Sequence, residues 1–460
     1  AWLAELEALP NEKIPLAYAD ADPGVLAHAN GGLSQLGALD FQFDVNENDF
    51  GPAAGPTPST SATVSPTPSP SASAPAEETP LPTNADLLAA PGEYVASDIA
   101  WPASGTVTRS ALAPLAADGY RSVLLASGNV SAADSGRVRL DGIDGLVSDD
   151  GLSSIAREAV SAVGDAALQN ALQRFDAALD GMQAASPGRS AIVTLDRGWE
   201  VSASHLLELL QNVDTQTSAR PAGLSAVLAG PSVDAKVVDG RIPDDGADLL
   251  GAVFGTLPQE AAFATVAGDR AAAVTSPRRL ELLSSMSVAW VEADIGWADR
   301  LRSYLASSAT LLDTVKIVHG GSVLVTASNT SIPVTVSNAL PVPVTVDVTV
   351  RPEGGTLRIE NREVALTVEP NASGRALVPA QALGTDTVIA SIVLHSAASP
   401  TVQIGAGDTV TVDMRPSWEG IGTGIVVIVL VLVFGGGVVR QVLRKRKRRW
   451  APPPSGTGDG

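Results

Sequence analysis

Cysteine is absent from all 460 residues. Disulfides, thiolate metal sites and cysteine nucleophiles are therefore excluded. Ordinary apolar cores must hold the fold, and the chain is long enough for two or three of them. Histidine is nearly as scarce, with only His28, His205, His319 and His395. No HxH, HxxxH or HExxH spacing occurs, so no metal site is expected. The chain also lacks a P-loop, a GxGxxG behind a strand and a GxSxG elbow, so no cofactor is expected and nucleotide chemistry finds no support. Positive charge is sparse, with 30 Lys and Arg against 50 Asp and Glu. Residues 440–450 hold seven of those cations and no acid, which leaves the rest near −27. A surface of that sign repels nucleic acid.

The long uncharged run at the C-terminal end stands out against this background. Residues 421–439 carry no charge, Arg440 follows, and Arg444, Lys445, Arg446, Lys447, Arg448 and Arg449 form an unbroken basic block. About 20 apolar residues suffice to cross a bilayer as one helix, and a Lys/Arg cluster beyond the run marks the cytoplasmic side. Trp418 and Trp450 flank it as interfacial anchors. The expectation is a single-pass plasma-membrane protein spanning at 420–439, N-terminus outside and C-terminus in the cytoplasm. The tail 440–460 is expected to lie on anionic headgroups and either to set topology or to dock a membrane partner. The sequence opens Ala1-Trp2-Leu3-Ala4 without Met or a basic leader. Because that topology needs an export signal, the chain is expected to be N-terminally incomplete.

Along residues 1–313 the pattern predicts alternating strands and helices. Ile14–Tyr18, Tyr94–Trp101, Arg121–Ala126, Gly145–Ser148 and Ala191–Leu195 read as strands. Val25–Leu36, Ser110–Asp118, a long helix from Ser153 to about Asp180, Ser202–Gln211, a helix opened by Ser276-Pro277, and Asp294–Ser308 read as helices. Such alternation implies an α/β domain with a parallel, barrel-like sheet. Residues 51–83, rich in Pro, Ser and Thr, read as a disordered insertion. From 314 to 416, short β-rich runs separated by Gly, Pro, Asn and Asp predict an all-β immunoglobulin-like sandwich.

The candidate catalytic residues are Asp20 and Asp22, placed where a strand is predicted to end, and Asp98, just ahead of Trp101-Pro102. Carboxylate pairs across a cleft perform glycosidase chemistry. Trp101 and Tyr18 are the candidate ligand-binding aromatics. The competing reading makes these acids helix caps and turn residues, and Asp22 before Pro23 already has a cap signature.

Four stretches carry a resemblance to an actinobacterial envelope family, domain of unknown function 6049. They are Leu16–Pro23, Ile99–Gly105 with Leu112–Gly119, Ile332–Asn338, and Ser417-Trp418 before the anchor. The resemblance implies an exported, C-terminally anchored protein acting near envelope assembly. Trp101-Pro102-Ala103, followed by a helix and a Gly-Tyr pair, is also similar to the Trp-x-Pro-Glu region of family 57 glycoside hydrolases and polysaccharide deacetylases. Here Ala103 stands where a carboxylate belongs, and the paired metal-site histidines of the deacetylases are missing. Two functions follow as expectations: a non-catalytic envelope scaffold that binds a glycan or a membrane protein partner, or a sugar-active hydrolase or deacetylase.

Overall fold

A computed structural model describes residues 2–36, 40–41, 94–132, 134–195, 197, 202–293, 296–327, 329–415 and 419–447. The expected insertion 51–83, Trp418, Arg448 and Arg449 fall outside these residues. The fold is mixed α/β and divides into two units, Ala1–Asp313 and Thr314–Gly460.

The first unit is built on one five-stranded sheet. Its strands are β1 (Ile99–Ala100), β2 (Ser122–Ala126), β3 (Arg137–Arg139), β4 (Asp144–Ser148) and β5 (Val233–Asp234), in spatial order β1-β2-β4-β3-β5. Strands β1, β2 and β4 run parallel, whereas β3 is antiparallel to β4. Among the described residues the order has two ends, so the sheet is open rather than a closed barrel. Apolar residues are buried on its strands, with Val123, Leu125, Val138 and Val147 packing around Leu112 and Leu115 of the helix Leu112–Ala117.

Several expected elements differ. Ile14–Tyr18 forms no strand, and Tyr18–Asp20 is instead a single 3-10 turn. Ala191–Leu195 contributes only one parallel bridge, Ser148 to Ile192. The long helix from Ser153 is two helices, Asp150–Val160 and Asp165–Ala185, because Gly164 between them adopts φ 86°, which a helix cannot contain. Pro277 lies inside the helix Ala272–Ser285 rather than opening it.

A second core surrounds fully buried Trp297 and Tyr304. Leu282 and Leu283 join it from Ala272–Ser285, Met286 from just beyond that helix, and Val25 and Leu26 from the helix Pro23–Asn30. Trp297 donates from Nε1 to the Ser285 carbonyl at 3.0 Å. Its ring lies against Gly246, where any Cβ would overlap it. The stretch Asp244–Arg270 is long and apolar enough to cross a membrane. Leu250, Val253, Phe254 and Phe263 on it are nevertheless buried in this unit, and Glu260 is 2% exposed and ion-paired to Arg278. It is a core helix.

The second unit contains two sheets. One orders β10 (Leu357–Ile359), β12 (Ala372–Ala382), β8 (Asn329–Asn338) and β6 (Val315–Val318). The other orders β11 (Glu363–Val368), β9 (Val344–Pro352), β13 (Asp386–Ser396), β14 (Gln403–Met414) and β7 (Val323–Val325). Burial alternates along the long strands, so one face of each sheet is apolar. Val334, Val336 and Val378 supply the first, and Val346, Val348, Ile392 and Val412 the second. Asn338, 1% exposed, ties strands of both sheets, because its Nδ2 donates to the carbonyls of Val342, Val368 and Glu369. The apolar run at 315–325 is cut in two at Gly320-Gly321, which lets the chain leave the first sheet as β6 and join the second as β7.

The last described element of this unit is a 29-residue helix, Glu419–Lys447. Its apolar side chains from Val426 to Val439 are 51–72% exposed.

Candidate functional site

In a parallel sheet, successive strands deliver their following loops to one edge. Here Trp101-Pro102 follows β1, Ala126 ends β2 and Ser148 ends β4, and all four residues line one cleft. The segment after Ile192 runs beside the end of β4, held by a hydrogen bond from Asp149 N to the Ile192 carbonyl at 2.8 Å. It brings Thr194, Leu195 and Arg197 to the same wall. Leu124 and Leu125 of β2, with Arg157, Ser104 and Glu292, complete the lining. Open space in the cleft amounts to about 390 Å³ with its mouth included, of which about 30 Å³ admits the centre of a water molecule.

Arg197 is the centre of the arrangement. Its guanidinium carbon lies 4.7 Å from the centre of the Trp101 ring, a cation–π geometry. Nη1 donates to Asp20 Oδ1 at 2.8 Å, and the two side chains are 12% and 25% exposed. Burial lowers the arginine's pKa, while the charges of Asp20, Asp22 and Glu292 act in the other direction. Nη2 is buried and has no hydrogen-bond partner among the described residues.

Asp20 reaches Arg197 from a strained backbone. Ala19 and Asp20 both have positive φ, 55° and 54°, a region that non-glycine residues seldom occupy. Burial raises the Asp20 pKa, Arg197 lowers it and Glu292 adds to the rise. Asp22 is fully buried and plays a different part. It caps the helix Pro23–Asn30, with Oδ1 accepting from Gly24 N at 2.7 Å and Val25 N at 3.0 Å. Its Oδ2 accepts from Ala103 N at 2.9 Å, which ties the helix start to the loop after β1. Burial raises its pKa, against three backbone hydrogen bonds that lower it.

The three acids singled out in the sequence do not meet. Asp98 precedes β1 and so stands at the opposite end of the sheet, where it pairs with Arg121 at 3.4 Å. Asp22 faces backbone amides, and Asp20 alone adjoins Trp101, through Arg197. Tyr18 belongs to the Trp297 core and has its ring 5.4 Å from that of Phe41; it does not line the cleft.

The sequence reading passed over Arg197, Arg157, Glu292 and the hydroxyl cluster of Ser148, Ser153 and Thr194. In that cluster Ser148 Oγ lies 3.0 Å from Ser153 Oγ and 2.8 Å from Thr194 Oγ1, and Thr194 N donates to Ser153 Oγ at 3.0 Å. The one available signal was an arginine two residues beyond the apolar run Ala191–Leu195. Among the described residues no group of three or more His, Asp or Glu is placed to hold a metal ion.

A family model described as "Family of unknown function (DUF6049)" matches residues 18–455. No curated protein matches the chain. Among solved structures, Escherichia coli alpha-2-macroglobulin in its native conformation is similar at 14% identity and TM-score 0.19, over 23% of this chain. The chain spans 7% of that protein's length. A human CEP192 ASH/PapD-like domain is similar at 9% identity and TM-score 0.17, covering 23% of this chain and 87% of the domain. The Pseudomonas aeruginosa CupB2 chaperone is similar at 18% identity and TM-score 0.16, covering 22% of this chain and 55% of the chaperone.

Proposed function

Since the chain belongs to the DUF6049 family of unknown function, we propose its role from its own residues: a single-pass, membrane-anchored envelope protein whose α/β unit binds an envelope component without catalysing a reaction. The observation that carries the second half is the state of the acids. Two-carboxylate chemistry needs one carboxyl free to hold a proton and another facing the scissile bond. Asp20 is consumed by Arg197, Asp22 by three amides, and Asp98 lies at the far end of the sheet. The carboxylate left in the cleft, Glu292, accepts from Ser104 N at 3.0 Å, and the other polar side chains there are the donors Arg157 and Arg197 and the hydroxyls of Ser148 and Thr194. The two-sheet unit, read as an immunoglobulin-like sandwich, would serve as a spacer.

The anchor rests on the helix Glu419–Lys447. At 1.5 Å per residue it is about 44 Å long, against a hydrocarbon core of about 30 Å. Its residues 420–439 are uncharged and its end is basic. Because the chain has no cysteine, a single Ser455→Cys reports topology cleanly. In cells, that thiol is expected to resist membrane-impermeant maleimide. Replacing Arg444–Arg449 with glutamine should expose a measurable fraction. Unchanged labelling in the replaced tail would remove the basic block as the orienting signal.

The binding reading is tested with full-length protein in detergent, purified envelope polysaccharide, and Asp20→Asn. Binding without product, in both proteins, is the expected result. Product formed by wild type and lost in the variant would instead establish the second reading, a sugar-active hydrolase or deacetylase. The strained, burial-perturbed Asp20 is what favours that alternative.

A further inference from the structure

We infer that the Arg197 cleft is a slot for a single carboxylate group on a small ligand or a chain end. This inference rests on the binding reading above and specifies its chemistry. Four observations converge on it.

The first is size. Only about 30 Å³ of the cleft admits the centre of a water molecule, which suits the entry of a small group of a few atoms better than that of a whole sugar ring. The indole face toward Arg197 offers no platform for a sugar either, since the guanidinium already lies on it.

The second is an unsatisfied donor. Nη1 of Arg197 is spent on Asp20, but Nη2 of the same planar fork has no acceptor. A buried donor without a partner costs about 1–3 kcal/mol, and an incoming oxygen would recover it. Charged guanidinium-to-carboxylate bonds are the strong form of this contact.

The third comes from counting protons. Ser148, Ser153 and Thr194 have three hydroxyl hydrogens; two short links use two, and the third sits in a long Thr194 Oγ1 to Ser153 Oγ contact of 3.5 Å. Thr194 N already donates to Ser153 Oγ at 3.0 Å. The long contact is the one most easily exchanged, and Thr194 and Ser148 both line the cleft. Its hydrogen can be given to the second carboxylate oxygen.

The fourth is charge. Arg157 and Arg197 on the lining are balanced by Asp20 and Glu292. The slot is therefore no general sink for anions. It accepts one monovalent group by geometry, and a second negative charge would meet Glu292.

The test uses full-length protein in detergent and two matched pairs of probes: acetyl-alanine with its amide, and glucuronate with glucose. Binding is read by ligand-observed NMR on wild type, Arg197→Gln and Thr194→Val. The second variant leaves the Asp20 ion pair intact, so it separates ligand contact from loss of structure, and thermal melts monitor both. The expected result is binding of the acids alone, weakened about tenfold or more by each variant. Preference between acetyl-alanine and glucuronate then tells whether an amino-acid or a sugar carboxylate is the natural group. Equal binding of the neutral members, no binding of either acid, or acid binding untouched by both variants would each overturn the inference. If wild type still binds envelope polysaccharide in that event, the general binding reading survives. If polysaccharide does not bind while the acids do, it is that reading which falls.

Discussion

Asp22→Ala is expected to cost the first unit about 3 kcal/mol or more, from the loss of a helix cap, typically about 1 kcal/mol, and of acceptors for buried amides, about 1–3 kcal/mol each. The carboxylate is 0% exposed and holds Gly24 N, Val25 N and Ala103 N. Alanine leaves all three donors without that acceptor, at a position that is 0% exposed. Asp22→Asn should fall between wild type and alanine. Its carbonyl can keep the cap, but its amide group then faces Ala103 N, donor against donor. The measurement is urea unfolding of the three proteins at neutral pH. A loss under about 1 kcal/mol for alanine would show that the loop after β1 is held by other contacts.

The same residue gives a pH dependence with a definite sign. Burial raises the Asp22 pKa above its unfolded value. The folded state then binds the proton more tightly, so this group's contribution to stability is greatest in acid and is lost as pH rises through the folded pKa. Asp20 has the same sign. Both work against the usual gain in stability of paired carboxylates with rising pH, and Asp22→Ala should remove one of the two.

These effects bear on how much could be read from the sequence. Asp22 before Pro23 is a local signal, and the cap it predicts is present, because a cap involves only the next three residues. The strands Ser122–Ala126 and Asp144–Ser148 lie within a residue of their expected starts for a similar reason: their apolar runs match buried positions in a parallel sheet. Ile14–Tyr18 shows the opposite case. Its apolar content suits a strand, but Tyr18 packs onto the Trp297 core from a 3-10 turn, a partner set almost 280 residues away in sequence. The cleft was hidden in the same way. Asp20 and Arg197 are separated by 177 residues, and nothing local to either announces the other. Asp98 misled because the strand was expected to run from Tyr94 to Trp101, whereas only Ile99–Ala100 pair, so Asp98 stands before the strand and the carboxyl edge lies after it.

Glu260→Ala is expected to destabilise the first unit by about 3–5 kcal/mol, the usual cost of breaking a buried ion pair by removing one partner. Arg278 is 7% exposed at its side chain and Glu260 3%. Nε and Nη2 of Arg278 each donate to Glu260 Oε1 at 3.1 Å, and Nη2 also reaches the Tyr304 carbonyl at 3.2 Å. The guanidinium lies 4.2 Å from the Tyr304 ring centre. The Tyr304 hydroxyl donates to both Glu260 oxygens at 3.3–3.4 Å, and burial, with Glu260 next to it, pushes its pKa to about 12. Without Glu260 the arginine keeps Glu281 and Ser307 at the edge of the network but loses its deepest counter-charge. The attraction between the partners mostly offsets their desolvation, so the pair as a whole adds little net stability. Replacing both, as Glu260→Met with Arg278→Met, should therefore recover most of what the single change loses. Thermal unfolding of Glu260→Met, Arg278→Met and the double variant closes the cycle. A double variant as unstable as the worse single would mean that the network fixes the packing of Tyr304 rather than merely neutralising itself. Additive losses would mean that Glu260 and Arg278 each hold the fold through other neighbours.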